Sequence, residues 1–374
     1  MSEITVVQVK TEREMMDFIR FPMVLYKNNK NFVPPLIKGE KEVWNLKENP
    51  ALHYSLAKQY LAYRAGKIVG RIAVMINNKE VKELGIRKVR FGWIDFIDDV
   101  KVSEALIQKA VDFAKEHQLE KIEGPMGFTN LDKAGTLTMG FDKLATMIGM
   151  YNHAYYASHF ERLGLRKEKE WVEYEIVFPE ILPDKVLKFN ELIKEKYRLK
   201  VMKFTSKKEF LPLIEPMFEL LDQTYRTLST YTPITDEQIK SYKDKYFSLL
   251  DKDFIICVAD EHDKLVAFAV TMPSYSTALQ KANGKLWPTG WWHLLQAGKK
   301  NDRANFYLIG IHPDYQKRGV TSIIFKEIYD IFKKKGVKYL ETNPELEDNK
   351  AIQLLWQDYN PVNHKRRRTY SREI

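Results

Sequence analysis

The chain has 374 residues, 44% hydrophobic and 13% aromatic, which excludes a disordered chain and makes room for about two domains. Its formal charge of +10 favours an anionic partner: nucleic acid, an anionic lipid surface, an acyl carrier protein or a phosphate-rich cofactor. The single cysteine, Cys257, rules out an intramolecular disulfide and a cysteine-built zinc site and fits a reducing, cytoplasmic compartment.

The first ten residues lack a basic segment followed by an apolar run, so no signal peptide is expected. No apolar run approaches the ~20 residues of a spanning helix, so the protein is expected to be soluble or peripheral at a membrane. The amino half predicts a strand over Thr5–Val9, a helix over Glu12–Tyr26 and a Pro- and Asn-rich loop over Asn28–Pro35. Strands Leu56–Arg64 and Lys67–Ile76 should form a hairpin around Ala65-Gly66. A strand over Arg90–Asp98 leads to a helix over Ser103–His117, with Ser103 as its N-cap. A short strand at Lys121–Pro125 precedes a glycine-rich loop from Met126 to Gly149, and the loop Gly124–Gly140 is long enough to suggest a lid. The half closes with a helix ending at Phe160–Leu165 and a strand at Trp171–Phe178.

The carboxy half repeats this order. Helices are predicted at Pro183–Tyr197, Lys207–Leu228 and Asp236–Leu250, then a hairpin of Phe254–Asp260 with Lys264–Met272. Strand Ala304–His312, helix Gln316–Lys335, strand Lys338–Asn343, helix Asn349–Tyr359 and a last strand over His364–Glu373 follow. Lys365-Arg-Arg-Arg368 in that last strand reads as solvated strand charge. Without a zinc-finger, RNA-recognition or helix-turn-helix pattern beside it, nucleic acid is not an expected partner. Between the hairpin and strand Ala304–His312 lies Pro273–Ala297, which gathers Tyr275, Trp287, Trp291, Trp292 and Leu294-Leu295 around Pro288 and Gly290. Such a loop can line an acyl tunnel, sit at a membrane interface or pack one domain on the other.

The passage Leu308–Thr321 carries the chemistry. An apolar strand stops at Pro313 and hands over, through a turn containing Gly319, to a helix N-terminus, which aims free backbone N–H groups and partial positive charge at one point. Lys317 and Arg318 add formal charge beside it. Gln316-Lys-Arg-Gly-Val-Thr321 after Ile311-His-Pro313 resembles the acyl-CoA signature of the GNAT N-acetyltransferase superfamily. Gln316, Arg318 and Gly319 match, and Thr321 stands where the family has Gly or Ala.

The resemblance implies an α/β (α+β) fold of two tandem GNAT-like domains, residues 1–180 and 181–374, each a mixed, mostly antiparallel twisted sheet flanked by helices. The boundary is expected near Pro179–Pro183. It implies acyl-CoA or acetyl-CoA as a substrate and no metal. The cofactor would lie against Ile309 and Ile311 of the strand, Gln316, Lys317, Arg318, Gly319, Val320 and Thr321 of the turn, and Asn349. The first half has Ile97-Asp-Asp-Val-Lys-Val-Ser103 at the equivalent place. Its two carboxylates would repel a pyrophosphate, so one acyl-CoA site is expected. In this architecture the chain is similar to N-myristoyltransferases and Fem-type aminoacyl transferases, and more faintly to bacterial GNAT-type proteins of ceramide synthesis.

Acyl transfer to an amine needs a proton acceptor and a proton route to the leaving thiolate. Period-2 alternation puts Tyr339, Glu341 and Asn343 on one face of their strand, with Glu341 as the candidate base and Asn343 as its polar neighbour. Trp356 falls where the family pattern has a tyrosine acid. Tryptophan gives up no proton, so Tyr359 or solvent would have to serve. His153 could face a shared cleft, although a lone histidine is more often structural. Three readings stay open: an acyl-CoA-dependent N-acyltransferase with a lipid-like or amphipathic amine acceptor, a non-catalytic acyl-CoA-binding scaffold, and a Fem-like aminoacyl transferase.

Overall fold

A computed structural model describes residues 3–182, 184–225, 234–246 and 250–374. The first half runs β1 (Ile4–Gln8), α1 (Glu12–Leu25), α2 (Ile37–Val43), β2 (Ser55–Arg64), β3 (Lys67–Asn77), α3 (Asn78–Glu83) and β4 (Lys88–Phe96). It continues with α4 (Val100–Glu116), β5 (Lys121–Gly124), β6 (Thr136–Met139), α5 (Tyr155–Arg162) and β7 (Arg166–Val177). The second half opens with α6 (Asp184–Tyr197), β8 (Lys200–Met202), α7 (Lys207–Phe210), α8 (Ile214–Tyr225) and α9 (Asp236–Tyr246). Then come β9 (Ile255–Ala259), β10 (Leu265–Pro273), α10 (Ser276–Ala282), α11 (Gly290–Lys299), β11 (Arg303–Ile311) and α12 (Thr321–Lys335). β12 (Tyr339–Thr342), β13 (Glu345–Leu346), α13 (Lys350–Gln353) and β14 (Val362–Glu373) complete the chain.

The strands form one sheet in the order β1-β2-β3-β4-β5-β14-β7-β12-β11-β10-β9-β8, with β6 joined to β14 and β13 to β7. Most pairings are antiparallel; β4 with β5 and β11 with β12 are parallel. The β2–β3 hairpin turns where the sequence places it: Ala65 and Gly66 both take positive φ, as a two-residue turn matching strand twist requires. Each half packs a long helix on the sheet. α4 buries Val102, Leu106, Ala110 and Phe113 in one core, and α12 buries Ile323, Ile324, Ile328 and Phe332 in the other.

The two halves meet through exchanged strands. β7, late in the first half, pairs with β12 of the second, while β14, the last strand, lies between β5 and β7. Each of these two strands therefore belongs to both halves of the sheet. Their interface is ionic, which overturns the reading of Lys365–Arg368 as solvated charge. Lys365 and Arg367 are fully buried, the first paired with Glu341 and the second with Glu173. On the opposite face Arg366 and Arg368 share Glu170. Burial would raise the Glu170 carboxyl, but Lys167, Arg366 and Arg368 together hold it down at about 2. Four consecutive bases on β14 thus meet Glu170 and Glu173 of β7 and Glu341 of β12, because an unpaired charge at this depth would be expensive.

Other expectations shift. The N-cap of α4 is Asp99, not Ser103: the Asp99 carboxylate accepts from the Lys101 amide at 2.9 Å and pairs with Arg64. Ser103 sits inside the helix and donates to the Val100 carbonyl. α12 starts at Thr321 rather than Gln316, because Gln316 is extended and Lys317 has φ +59°. The expected helix Asn349–Tyr359 is cut to Lys350–Gln353 plus a single 3-10 turn at Gln357–Tyr359. Pro273–Ala297 holds two helices, and the glycine-rich loop contains β6. Pro183, residues 226–228 of the helix expected over Lys207–Leu228 and residues 247–249 of that expected over Asp236–Leu250 lie outside the described residues.

Candidate functional site

The second half opens the sheet at a defined place. β11 and β12 pair from Arg303–Tyr339 to Phe306–Thr342; beyond that β11 runs on to Ile311 against β10 while β12 stops. Tyr307 is an extra residue in β11, since Leu308 faces Val270 and Phe306 faces Thr271. Bulges of this kind bend a strand away from its neighbour. Asn343 fixes the mouth of the opening: its amide donates to the Phe306 carbonyl at 3.1 Å and its Nδ2 to the Tyr307 carbonyl at 2.7 Å.

The turn expected to hold pyrophosphate stands at the end of β11. Ile309 is buried on the α12 side and Ile311 half-buried; Gln316, Lys317 and Arg318 are exposed. Gln316 Nε2 donates to the Ile311 carbonyl at 3.1 Å, closing the turn. Gly319 has φ +81°, and a Cβ there would lie 2.3 Å from the Phe189 ring of α6, so only glycine fits. Val320, buried, is the N-cap of α12 and gives it no side-chain hydrogen bond; Thr321 is the first helical residue. The Ser322 and Ile323 amides bond back to the Gly319 and Val320 carbonyls at 2.9 and 3.1 Å, and the helix opens without a side-chain cap beside the Arg318 guanidinium, which stacks over Tyr197 and Tyr315 at 5.4 and 5.9 Å. Asn349 caps the short α13 through the Ile352 amide at 3.5 Å.

The expected base, Glu341, is ion-paired with buried Lys365 and lies 3.2 Å from His364 Nε2. Burial would raise its carboxyl, but Lys365 and His364 hold it below the ordinary range, which makes it a counter-ion rather than a proton acceptor tuned to neutral pH. Tyr359 lies in the core with its ring against Phe178 and Phe325. Trp356 is fully buried between Phe306 and Phe325, and its indole N–H donates to Glu345 Oε1 at 2.7 Å.

Glu345 is the residue that sequence reasoning missed. It is 6% exposed on β13, and its Oε2 has no hydrogen-bond partner among the described residues. Burial pushes its carboxyl up to about 8, only partly offset by donors from Trp356 and Thr342. Thr342 belongs to the last β11–β12 pair, so the carboxylate stands at the edge of the opening. Its charge also raises the Tyr225 hydroxyl, after burial, to about 12. Tyr225 ends α8, which packs on Phe268 and Val270, whereas α12 packs on Ala267 and Ala269. The two helices cover opposite faces of the sheet, so Glu345 is felt through the gap from both. The available signal was Trp356 itself: a buried indole in a tyrosine's place needs an acceptor.

The first half splays its sheet in a similar way, since β4 runs on to Phe96 beyond its last pair with β5 at Arg90, but the helix that follows is capped by Asp99. Asp98, His159 and Ser103 form a chain with contacts of 3.0 and 2.9 Å that resembles a nucleophile relay. Ser103 is fully buried with its hydroxyl committed to Val100, so the chain is structural. His153 is half-buried against Tyr26 and Tyr155, and burial draws its pKa down. Among the described residues no group of three His, Cys, Asp or Glu side chains is placed to hold a metal ion.

Comparison with known proteins agrees with the geometry. Residues 214–357 match the acetyltransferase (GNAT) family. A tandem GNAT protein from the clavulanic acid biosynthesis pathway superposes with TM-score 0.57 at 11% identity, covering 99% of this chain and 98% of its own. The fold is that of a tandem GNAT protein. A GCN5-related N-acetyltransferase from Sphaerobacter thermophilus superposes with TM-score 0.54 at 8% identity, over 99% of this chain and 95% of its own. In sequence, Protein YghO of Escherichia coli is 26% identical over 371 residues, 97% of this chain and 94% of that one. A bacterial ceramide synthase of Caulobacter vibrioides is 24% identical over 394 residues, 100% of this chain and 98% of that one. GNAT folds host acyltransferases, and the tandem GNAT architecture spans the whole chain.

Proposed function

We propose that the protein is an acyl-CoA-dependent N-acyltransferase with one active site, in the second of two GNAT-like units spanning residues 1–180 and 181–374. The observation that carries this reading is the opening in the sheet beyond Phe306, which, unlike the one beyond Arg90 in the first half, has a helix N-terminus without a side-chain cap at one end and Glu345 at its edge. The CoA pyrophosphate would rest on Gly319, Val320 and Thr321, with Gln316, Lys317 and Arg318 around it. The pantetheine arm would run along Ile309 and Ile311 towards Asn349, bringing the thioester to Asn343 and Tyr307.

The amine nitrogen attacks the thioester carbonyl, an N–C bond forms, the C–S bond breaks, and CoA leaves as a thiolate that takes up a proton. Glu345 accepts the proton that the amine loses. A carboxyl titrating near 8 suits that task at neutral pH, whereas Glu341 is committed to Lys365. Trp356 holds the Glu345 carboxylate in place and transfers no proton.

The likeness to a bacterial ceramide synthase supports a lipid-like amine, such as a sphingoid base, as acceptor. Thiol release from acyl-CoA, measured against a panel of amines, tests the reading. Turnover with a long-chain amine is expected; CoA binding with no turnover for any amine would make the protein a sensor instead.

A further inference from the structure

The helix pair α10–α11, between β10 and β11, breaks the rule for a surface helix. Its inner face is ordinary: Leu294 and Ala297 pack with Tyr275, and Gly298 lies against the Tyr275 ring. Its outer face should then be polar. Instead Trp291, Trp292 and Leu295 point outward, 44%, 49% and 53% exposed, and Trp287 in the connecting turn is 77% exposed beside Leu286. Three tryptophans and two leucines thus form one apolar patch, of a kind that proteins remaining in water rarely keep open.

The patch is rigidly mounted. The Ile37 amide donates to the Gly284 carbonyl at 2.9 Å, and Gln280 Nε2 donates to the carbonyls of Lys30 and Phe32 at 2.7 and 2.9 Å. A Cβ at Gly284 would lie 2.7 Å from Met23, so the turn is seated against the first half. Its outward aim is a fixed property of the fold.

Charge identifies the occupant. From Ser274 to Asn301 the chain carries four lysines and no carboxylate. Lys281, Lys285, Lys299 and Lys300 are all exposed around the apolar residues. Indole rings flanked by lysines suit the headgroup level of a bilayer, where one ring edge meets acyl chains and the other meets water. A second copy of the chain fits poorly, because a two-fold contact would set these lysines against their own copies.

We propose that the α10–α11 hairpin is an interfacial docking surface for anionic phospholipid membranes. Lysines bring it to the surface, and Trp287, Trp291 and Trp292 enter the headgroup layer. No helix among the described residues is long and apolar enough to cross a membrane, so this attachment is peripheral. The inference stands apart from the acyl-transfer reading, since it concerns a different surface and needs no turnover.

The test is co-sedimentation of the full chain with vesicles of phosphatidylcholine, with and without phosphatidylglycerol. Wild type should partition onto the phosphatidylglycerol vesicles and release as salt rises. A Trp287→Ser, Trp292→Ser variant and a separate Lys281→Glu, Lys285→Glu variant should each lower partitioning by about tenfold or more. Both should keep the wild-type melting temperature and CoA affinity. Wild type that ignores anionic vesicles, or variants that bind like wild type, would overturn the proposal while leaving CoA binding to judge the catalytic reading separately. A dimer in sedimentation velocity that the tryptophan variant dissolves would also overturn it, by making the patch a self-interface.

Discussion

The two strand–turn–helix passages of this chain share a plan and have opposite chemistry. In the first half β4 hands over to α4 through Ile97-Asp-Asp99, and Asp99 turns its carboxylate onto the helix's own amide at Lys101 while pairing with Arg64. That helix end already holds an anion, one belonging to the protein. In the second half β11 hands over to α12 through Gln316–Val320, where the cap is a valine and the nearest formal charges are Lys317 and Arg318. An uncapped helix end with cations beside it leaves the anion to be supplied from outside. On the proposed reading, one copy of the fold binds the cofactor and the other braces it.

The sharpest way to probe the working half is Glu345→Gln. It keeps the shape and the Trp356 contact but removes the proposed proton acceptor, and should lower kcat about a hundredfold or more with CoA affinity unchanged. Wild-type kcat should rise with pH through about 8 as the carboxyl ionises, and the variant should lose that limb. Stability gives an independent readout. The folded carboxyl titrates near 8 against an ordinary value of 4.5, so the native state holds this proton more tightly than the unfolded chain. Its contribution is complete below pH 4.5 and lost as the pH rises through 8, so the melting advantage of Glu345→Gln over wild type should grow towards alkaline pH.

The two halves should also fall together. Arg367→Met leaves Glu173 buried without its partner and should cost about 3–5 kcal/mol in urea unfolding. Because β7 and β14 serve both halves, one transition is expected; two separated transitions would mean that the halves fold independently.

Lys317→Glu with Arg318→Glu reverses the charge at the open turn and should weaken CoA binding about a hundredfold by calorimetry. This pair is preferable to a change at Gly319, where any side chain would strike Phe189 and confuse a lost ligand with a disturbed fold. Asp99→Ala is the matching change in the first half. It should cost about 1 kcal/mol of stability through the lost cap and leave CoA affinity untouched.

Much of this plan was legible in the sequence. The hairpins, the glycine turn and the repeated element order depend on local signals: Ala65-Gly66 between alternating strands, or Pro313 and Gly319 around a helix start. The exchange of β7 and β14 depends on non-local register, and the run Lys365-Arg-Arg-Arg368 gains meaning only once it is known to lie against Glu170–Glu173 of β7. Ser103 was a plausible cap until Asp99, four residues earlier, proved to have a partner in Arg64. Glu345 is one of three carboxylates from Glu341 to Glu347, and only burial against Trp356 separates it from the rest.

The central claim is that one turn binds the cofactor and its counterpart does not. Calorimetric titration of the full chain with CoA tests it most directly. One CoA per chain is predicted, weakened about a hundredfold in the Lys317→Glu, Arg318→Glu variant and unchanged in Asp99→Ala. No binding, two equivalents, or binding that the charge reversal at the second turn leaves unchanged would contradict the account.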